Sequence, residues 1–85
     1  MDNRKIDEAI LAVAESRRLK VARILVDAAR VPGVGVPETD EGFEIIRRRV
    51  EVLVEQGRFL AWGNLEEPRY SEVCLPSAPE DDKST

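Results

Sequence analysis

The stretch Phe43-Glu-Ile-Ile-Arg-Arg-Arg-Val-Glu-Val-Leu-Val-Glu-Gln56, stopped by Gly57 and followed by Arg58-Phe-Leu-Ala-Trp62 and Tyr70-Ser-Glu-Val-Cys-Leu75, decides the fold. Phe43, Ile46, Val50, Leu53 and Val54 recur at helical spacing and form one apolar face. On the outer face, Glu44 stands four residues before Arg48 and Arg47 four before Glu51, so both pairs can close on the helix surface. Such a face is largely self-neutralised. Gly57 suits the left-handed position that ends a helix. Beyond it, two short runs of apolar and aromatic residues flank the polar turn Gly63-Asn-Leu-Glu-Glu-Pro-Arg69 and predict strands over 58–62 and 70–75. A helix that feeds directly into a hairpin is the back half of a winged helix. The expected fold class is α+β, with three helices followed by a two-stranded antiparallel hairpin, over residues 1–75.

Upstream, Ile6, Ile10, Val13 and Ala14 predict a first helix over 3–15. Leu19, Ala22, Ile24, Leu25 and Ala28/Ala29 predict a second, capped near Ser16 and ending near Arg30. Val31-Pro-Gly-Val-Gly-Val-Pro-Glu-Thr-Asp40 carries two prolines and two glycines and reads as a loop. That loop is longer than the three- or four-residue turn of a DNA-binding helix-turn-helix, which loosens the coupling between the second and third helices. Thr39 or Asp40 is the natural cap of the third. If Phe59, Ala61, Val73 and Leu75 face the helices, strand alternation turns Leu60, Trp62, Tyr70 and Cys74 outward.

Eighty-five residues form one domain and bury roughly 60–65% of the unfolded chain's surface, enough to fold without staples. The formal net charge is −4, with twelve Lys/Arg against fourteen Asp/Glu in residues 1–75. Residues 76–85 carry Glu80, Asp81 and Asp82 against Lys83 and read as an acidic, disordered tail. Phosphate contacts supply most non-specific DNA affinity, so the absence of a basic surplus argues against a nucleic-acid partner. A single cysteine, an acidic N-terminus and no apolar run approaching the roughly 20 residues of a membrane span predict a cytoplasmic protein with no membrane partner.

Candidate chemistry is sparse. The chain has no histidine, which excludes histidine-based triads and histidine metal sites, and Cys74 has no evident activating base. The glycines of the 31–36 stretch lack the Lys-Ser/Thr of a phosphate loop, and no calcium-loop pattern occurs. A non-enzymatic protein without cofactor or metal is expected. Glu38, Asp40, Glu41 and Glu44 crowd the positive end of the third helix, where one or two acids would suffice for capping, and can attract a cation or a basic protein. Arg17, Arg18, Lys20, Arg23 and Arg30 gather around the junction of the first two helices, as a solvated face or a phosphate contact. Arg47, Arg48 and Arg49 stand where a winged helix reads the major groove, opposed by interleaved glutamates and by Glu66, Glu67 and Glu72 in the hairpin. Trp62, Tyr70 and Leu60 are either covered by another part of the chain or anchor a protein interface.

The stretch from Gly57 to Pro76 resembles the C-terminal signature of a bacterial domain family of unknown function. That signature is a Gly-Asn/Asp-Leu motif, then an arginine, then Ser-Glu-Val-x-Leu-Pro. Its positions are matched by Gly63, Asn64, Leu65, Arg69, Ser71, Glu72, Val73, Leu75 and Pro76. Upstream the likeness extends over the second and third helices by pattern only, so that the resemblance covers about half the chain, and it implies a winged-helix-like domain with no established activity. Small acidic proteins of this length are also similar in character to bacterial immunity proteins.

The expected function is therefore a non-catalytic protein-binding module, most concretely a small immunity or inhibitor protein neutralising a basic toxin domain. In that expectation Glu38, Asp40, Glu41, Glu44, Glu66 and Glu67 steer the partner, while Trp62, Tyr70 and Leu60 anchor it. The alternative is a winged-helix DNA-binding transcriptional regulator using Arg47, Arg48 and Arg49. A homodimer through the hairpin face is compatible with both.

Overall fold

Ile6, Ala9 and Ile10 recur at spacings of three and one, and they form the buried stripe of the first helix, α1 (Asn3–Val13). In the computed structural model, which describes residues 3–76, this stripe lies against α2 (Val21–Ala29) and α3 (Asp40–Glu55). Residues 77–85, nearly all of the expected tail, lie outside the described residues. Val21, Ile24, Leu25, Ala28 and Ala29 of α2 and Ile46, Val50 and Leu53 of α3 complete the helical part of the core. Phe43 and Val54, also expected there, are half-buried at its margin.

Helix α2 starts later than its apolar pattern suggests, and Ser16 does not cap it. Lys20 precedes α2 with no side-chain cap, and the Val21 N–H donates instead to the Ser71 carbonyl at 3.0 Å. A helix start that lacks a local acceptor has been supplied with one from the far end of the chain. Ser71 is itself buried and its hydroxyl donates to the Glu67 carbonyl at 3.1 Å, so this tie carries no stranded polar group.

Residues 30–39 form the expected loop, which packs down through buried Val34 and Val36. It passes so close to α3 that a β-carbon built on Gly42 would lie 1.9 Å from the Pro37 carbonyl oxygen. Only glycine fits there. The Thr39 hydroxyl accepts from the Gly42 N–H at 3.2 Å and caps α3, as its sequence position predicts. At the other end Gly57 adopts φ 78°, its N–H donates to the Val54 carbonyl at 3.0 Å, and the Arg58 N–H donates to the Leu53 carbonyl at 2.9 Å. These two bonds satisfy carbonyls that a helix end leaves open, and they aim the chain into the sheet.

The sheet has three strands rather than the expected two. Leu19–Lys20 forms β1, between α1 and α2, and joins β2 (Leu60–Trp62) and β3 (Glu72–Cys74) in the antiparallel order β1-β3-β2. Leu19 pairs with Val73 and Lys20 with Glu72; Leu60, Ala61 and Trp62 pair with Cys74, Val73 and Glu72. A hairpin alone would leave one edge of β3 without ladder partners, and β1 supplies them. The two hairpin strands, β2 and β3, are also shorter than expected. Pro68 opens a 3-10 turn over Pro68–Tyr70, so Tyr70 precedes the sheet instead of belonging to it.

Leu19 and Val73, on one face of the sheet, are buried with Phe59 beneath the helices. Cys74 is buried although its ladder partner Leu60 is exposed, which corrects its expected place on an open face. The result is an α+β domain of three helices and a small three-stranded antiparallel sheet. Among the described residues no helix is long and apolar enough to cross a membrane.

Candidate functional site

The arginine triplet of α3 is held by its neighbours. Arg47 donates from Nε and Nη2 to Glu44 at 2.9 and 2.6 Å and from Nη1 to Glu51 at 2.8 Å, and its side chain is only 12% exposed. The hydrogen bond from Arg47, reinforced by Arg48, pulls the Glu44 carboxyl down to about 2 from an ordinary 4.5. The same contact raises the Arg47 guanidinium above its usual value. Arg48 Nε lies 3.2 Å from Glu44, so two arginines share that carboxylate. Arg49 turns away from its neighbours and reaches α1, donating to both carboxylate oxygens of Asp7 at 2.9 and 2.8 Å. Hydrogen bonding to Asp7 raises the Arg49 guanidinium as well. Of the three, only Arg48 is exposed.

The acidic candidates divide by whether a partner already holds them. Glu38 pairs with Arg30 at 3.0 Å, and Glu44 is shared as described. Asp40, Glu41, Glu66 and Glu67 are exposed and carry no ion pair among the described residues. Asp40 and Glu41 lie in the first turn of α3, where the helix dipole favours them. Glu66 and Glu67 lie in the turn after β2. There the Glu66 N–H donates to the Asn64 side chain and the Glu67 N–H to the Asn64 carbonyl, both at 2.9 Å.

The aromatic candidates occupy two different surfaces. Strand register places Lys20, Glu72 and Trp62 in one row across the face of the sheet opposite Leu19 and Val73, with Leu60 and Cys74 on the same face. Leu60 is 47% and Trp62 37% exposed. The Arg18 guanidinium sits 4.1 Å from the centroid of the Trp62 ring and pairs with Glu72 at 2.7 Å. Part of the indole is thus covered by a stacked cation from this same chain. The Lys20 ammonium donates to the Arg69 carbonyl at 3.1 Å. Most of the basic set around the helix junction is likewise engaged, Arg17 with Glu15 at 2.6 Å and Arg23 with Asp27 at 3.4 Å. The Arg17 contact holds the Glu15 carboxyl below its usual range.

Tyr70, by contrast, is 75% exposed in the 3-10 turn and borders a groove of about 570 Å³. Ala22, Leu25 and Val26 of α2 and Phe43 of α3 line it from the helices, and Pro68 and Tyr70 from the turn. Asp40, Glu67 and Arg69 supply its charged groups. Three sequence candidates, Tyr70, Asp40 and Glu67, therefore meet in one groove. Trp62 and Leu60 share the sheet face, while Glu38 and Glu66 stand outside both surfaces. Leu25, Val26, Phe43 and Pro68 were not foreseen as site residues. The signal for Leu25 and Val26 was α2 itself, whose Ala22, Leu25, Val26 and Ala29 extend the apolar stripe beyond the width that one core face requires.

Such surfaces offer apolar contact, hydrogen bonding and charge attraction to a macromolecule. No family model, curated protein or solved structure gives a significant match to the chain.

Proposed function

We propose that this chain is a non-catalytic protein-binding module with a winged-helix-like architecture, working in the cytoplasm. Its most concrete form is a small acidic immunity or inhibitor protein that neutralises a basic toxin domain. The order helix, strand, helix, helix, hairpin, with the first strand laid against the last, supports the architectural part of this reading. The resemblance of the segment from Gly63 to Pro76 to the bacterial domain family supports the same part.

The observation that carries the binding reading is the division of charges. The arginines that would face DNA are tied to carboxylates, whereas Asp40, Glu41, Glu66 and Glu67 are exposed without ion pairs among the described residues, and two of them, Asp40 and Glu67, share a groove with exposed Tyr70. Open acids repel phosphate and attract a basic protein, and an exposed tyrosine is a residue type that concentrates binding energy. The topology equally suits a winged-helix DNA-binding regulator, with Arg48 the most accessible of the three α3 arginines.

Titration with random-sequence duplex DNA at low and high salt separates the two readings. Protein binding predicts no complex even at low salt, while salt-sensitive saturation would establish nucleic-acid binding and overturn the proposal. Co-purification from the native host is expected to retain a basic protein partner. Sedimentation of the isolated chain then tells a monomer from a homodimer.

A further inference from the structure

We infer that the groove between α2, the first turn of α3 and the Pro68–Tyr70 turn seats an amphipathic helix of the protein partner, with an apolar stripe flanked by lysines or arginines. This deepens the protein-binding reading and rests on it. The floor is apolar, made by Leu25, Phe43, Pro68 and the ring of Tyr70, and at about 570 Å³ it accepts a few side chains from one element rather than a domain face. Both acids in the lining, Asp40 from α3 and Glu67 from the turn, lack an ion-pair partner among the described residues, whereas Glu38 and Glu44 have theirs. Arg69 is the one cation in the lining, so the groove is acidic on balance and selects a basic occupant.

The shape of the occupant follows from the backbone around the groove. A strand-forming peptide gains its affinity by adding to a sheet edge, and none of the three strands contributes to this lining. A helix brings its backbone hydrogen bonds with it and needs only apolar contact along one stripe. The flank of α2 supplies that contact through Ala22 and Val26.

The test uses an isotope-labelled full chain and a synthetic helical peptide of about 18 residues, long enough to hold some helix alone, with leucines at helical spacing between lysines. Its comparators are the same composition in scrambled order and random duplex DNA. The expected result is chemical-shift change confined to the groove residues. Affinity should fall about tenfold or more in Tyr70→Ala and in the neutralised pair Asp40→Asn with Glu67→Gln. All three positions are exposed, and circular dichroism of each variant checks that a loss of affinity is not a loss of fold. Equal binding of the scrambled peptide, shifts centred on Leu60 and Trp62, or no binding at millimolar peptide would each overturn the groove assignment while leaving a protein-binding role standing. Saturable binding of the duplex would instead sink the protein-binding reading itself.

Discussion

Arg49 on α3 and Asp7 on α1 form a two-point ion pair, Nε to Oδ1 at 2.9 Å and Nη2 to Oδ2 at 2.8 Å, with both side chains only about one-fifth exposed. It joins α1 to α3 by charge, and it removes Arg49 from any role at the surface. Asp7→Ala would leave a largely covered guanidinium without its acceptor and is expected to cost about 1–3 kcal/mol in urea unfolding. A double-mutant cycle with Arg49→Ala should return a coupling of about 1–2 kcal/mol. Additive losses would show that the pair contributes nothing beyond its separate desolvation.

Gly42→Ala should destabilise the fold by about 2–3 kcal/mol, because the new methyl would collide with the Pro37 carbonyl and with Val36. The sign is the informative part. In an unobstructed helix the same change stabilises by about 1 kcal/mol. A thermal melt that rose would mean that the 30–39 loop swings clear at little cost.

The Glu44 carboxyl titrates near 2 in the folded chain and near 4.5 when unfolded, so ionised Glu44 favours the folded state. That contribution is fully present above about pH 4.5 and is lost as pH falls from there toward 2. Glu44→Gln should therefore be less stable than the natural chain at pH 6, with the gap closing below pH 4.5. Because the Glu44 side chain is 45% exposed, added salt should shrink the gap as well. Urea midpoints measured across that pH range at two salt concentrations check both statements.

Trp62 is the single tryptophan of the chain, which makes its emission a reporter of the Arg18 contact. Arg18→Ala should change Trp62 emission and its quenching by iodide while lowering stability by no more than about 1 kcal/mol. An unchanged spectrum would mean that the stacked geometry is not populated in solution.

The helices were largely legible because their signals are local. Thr39 lies one residue before α3, Gly57 shortly after it, and Ile46, Val50 and Leu53 repeat at the helical period. Leu19–Lys20 escaped notice because two residues cannot display an alternation, and their strand exists only through pairing with Val73 and Glu72. Tyr70 was misplaced for a related reason. Its segment has strand-forming residues, but Pro68 two positions earlier starts a 3-10 turn. Arg49 looked like its two neighbours until its partner Asp7 was seen, because nothing local relates positions so far apart. Tyr70, Asp40 and Glu67 were each recognisable as candidates, but their meeting in one groove depends on how the turn after β2 folds back toward α2.

Strand β3 lies at the centre of the sheet and is also the last described element to be synthesised. Among the described residues neither β1 nor β2 has another strand to bond with, and the start of α2 finds its acceptor in the residue just before β3. A nascent chain can therefore assemble its helices early, but the sheet side of its core must wait for residues 71–75 to emerge. Until then Leu19 and Phe59 have no cover from Val73, and apolar surface that is buried in the finished domain stays open. A chain broken just before residue 71 would therefore lack the ladder partners of β1 and β2 and the acceptor of α2, and would leave Leu19 and Phe59 open as sites for aggregation.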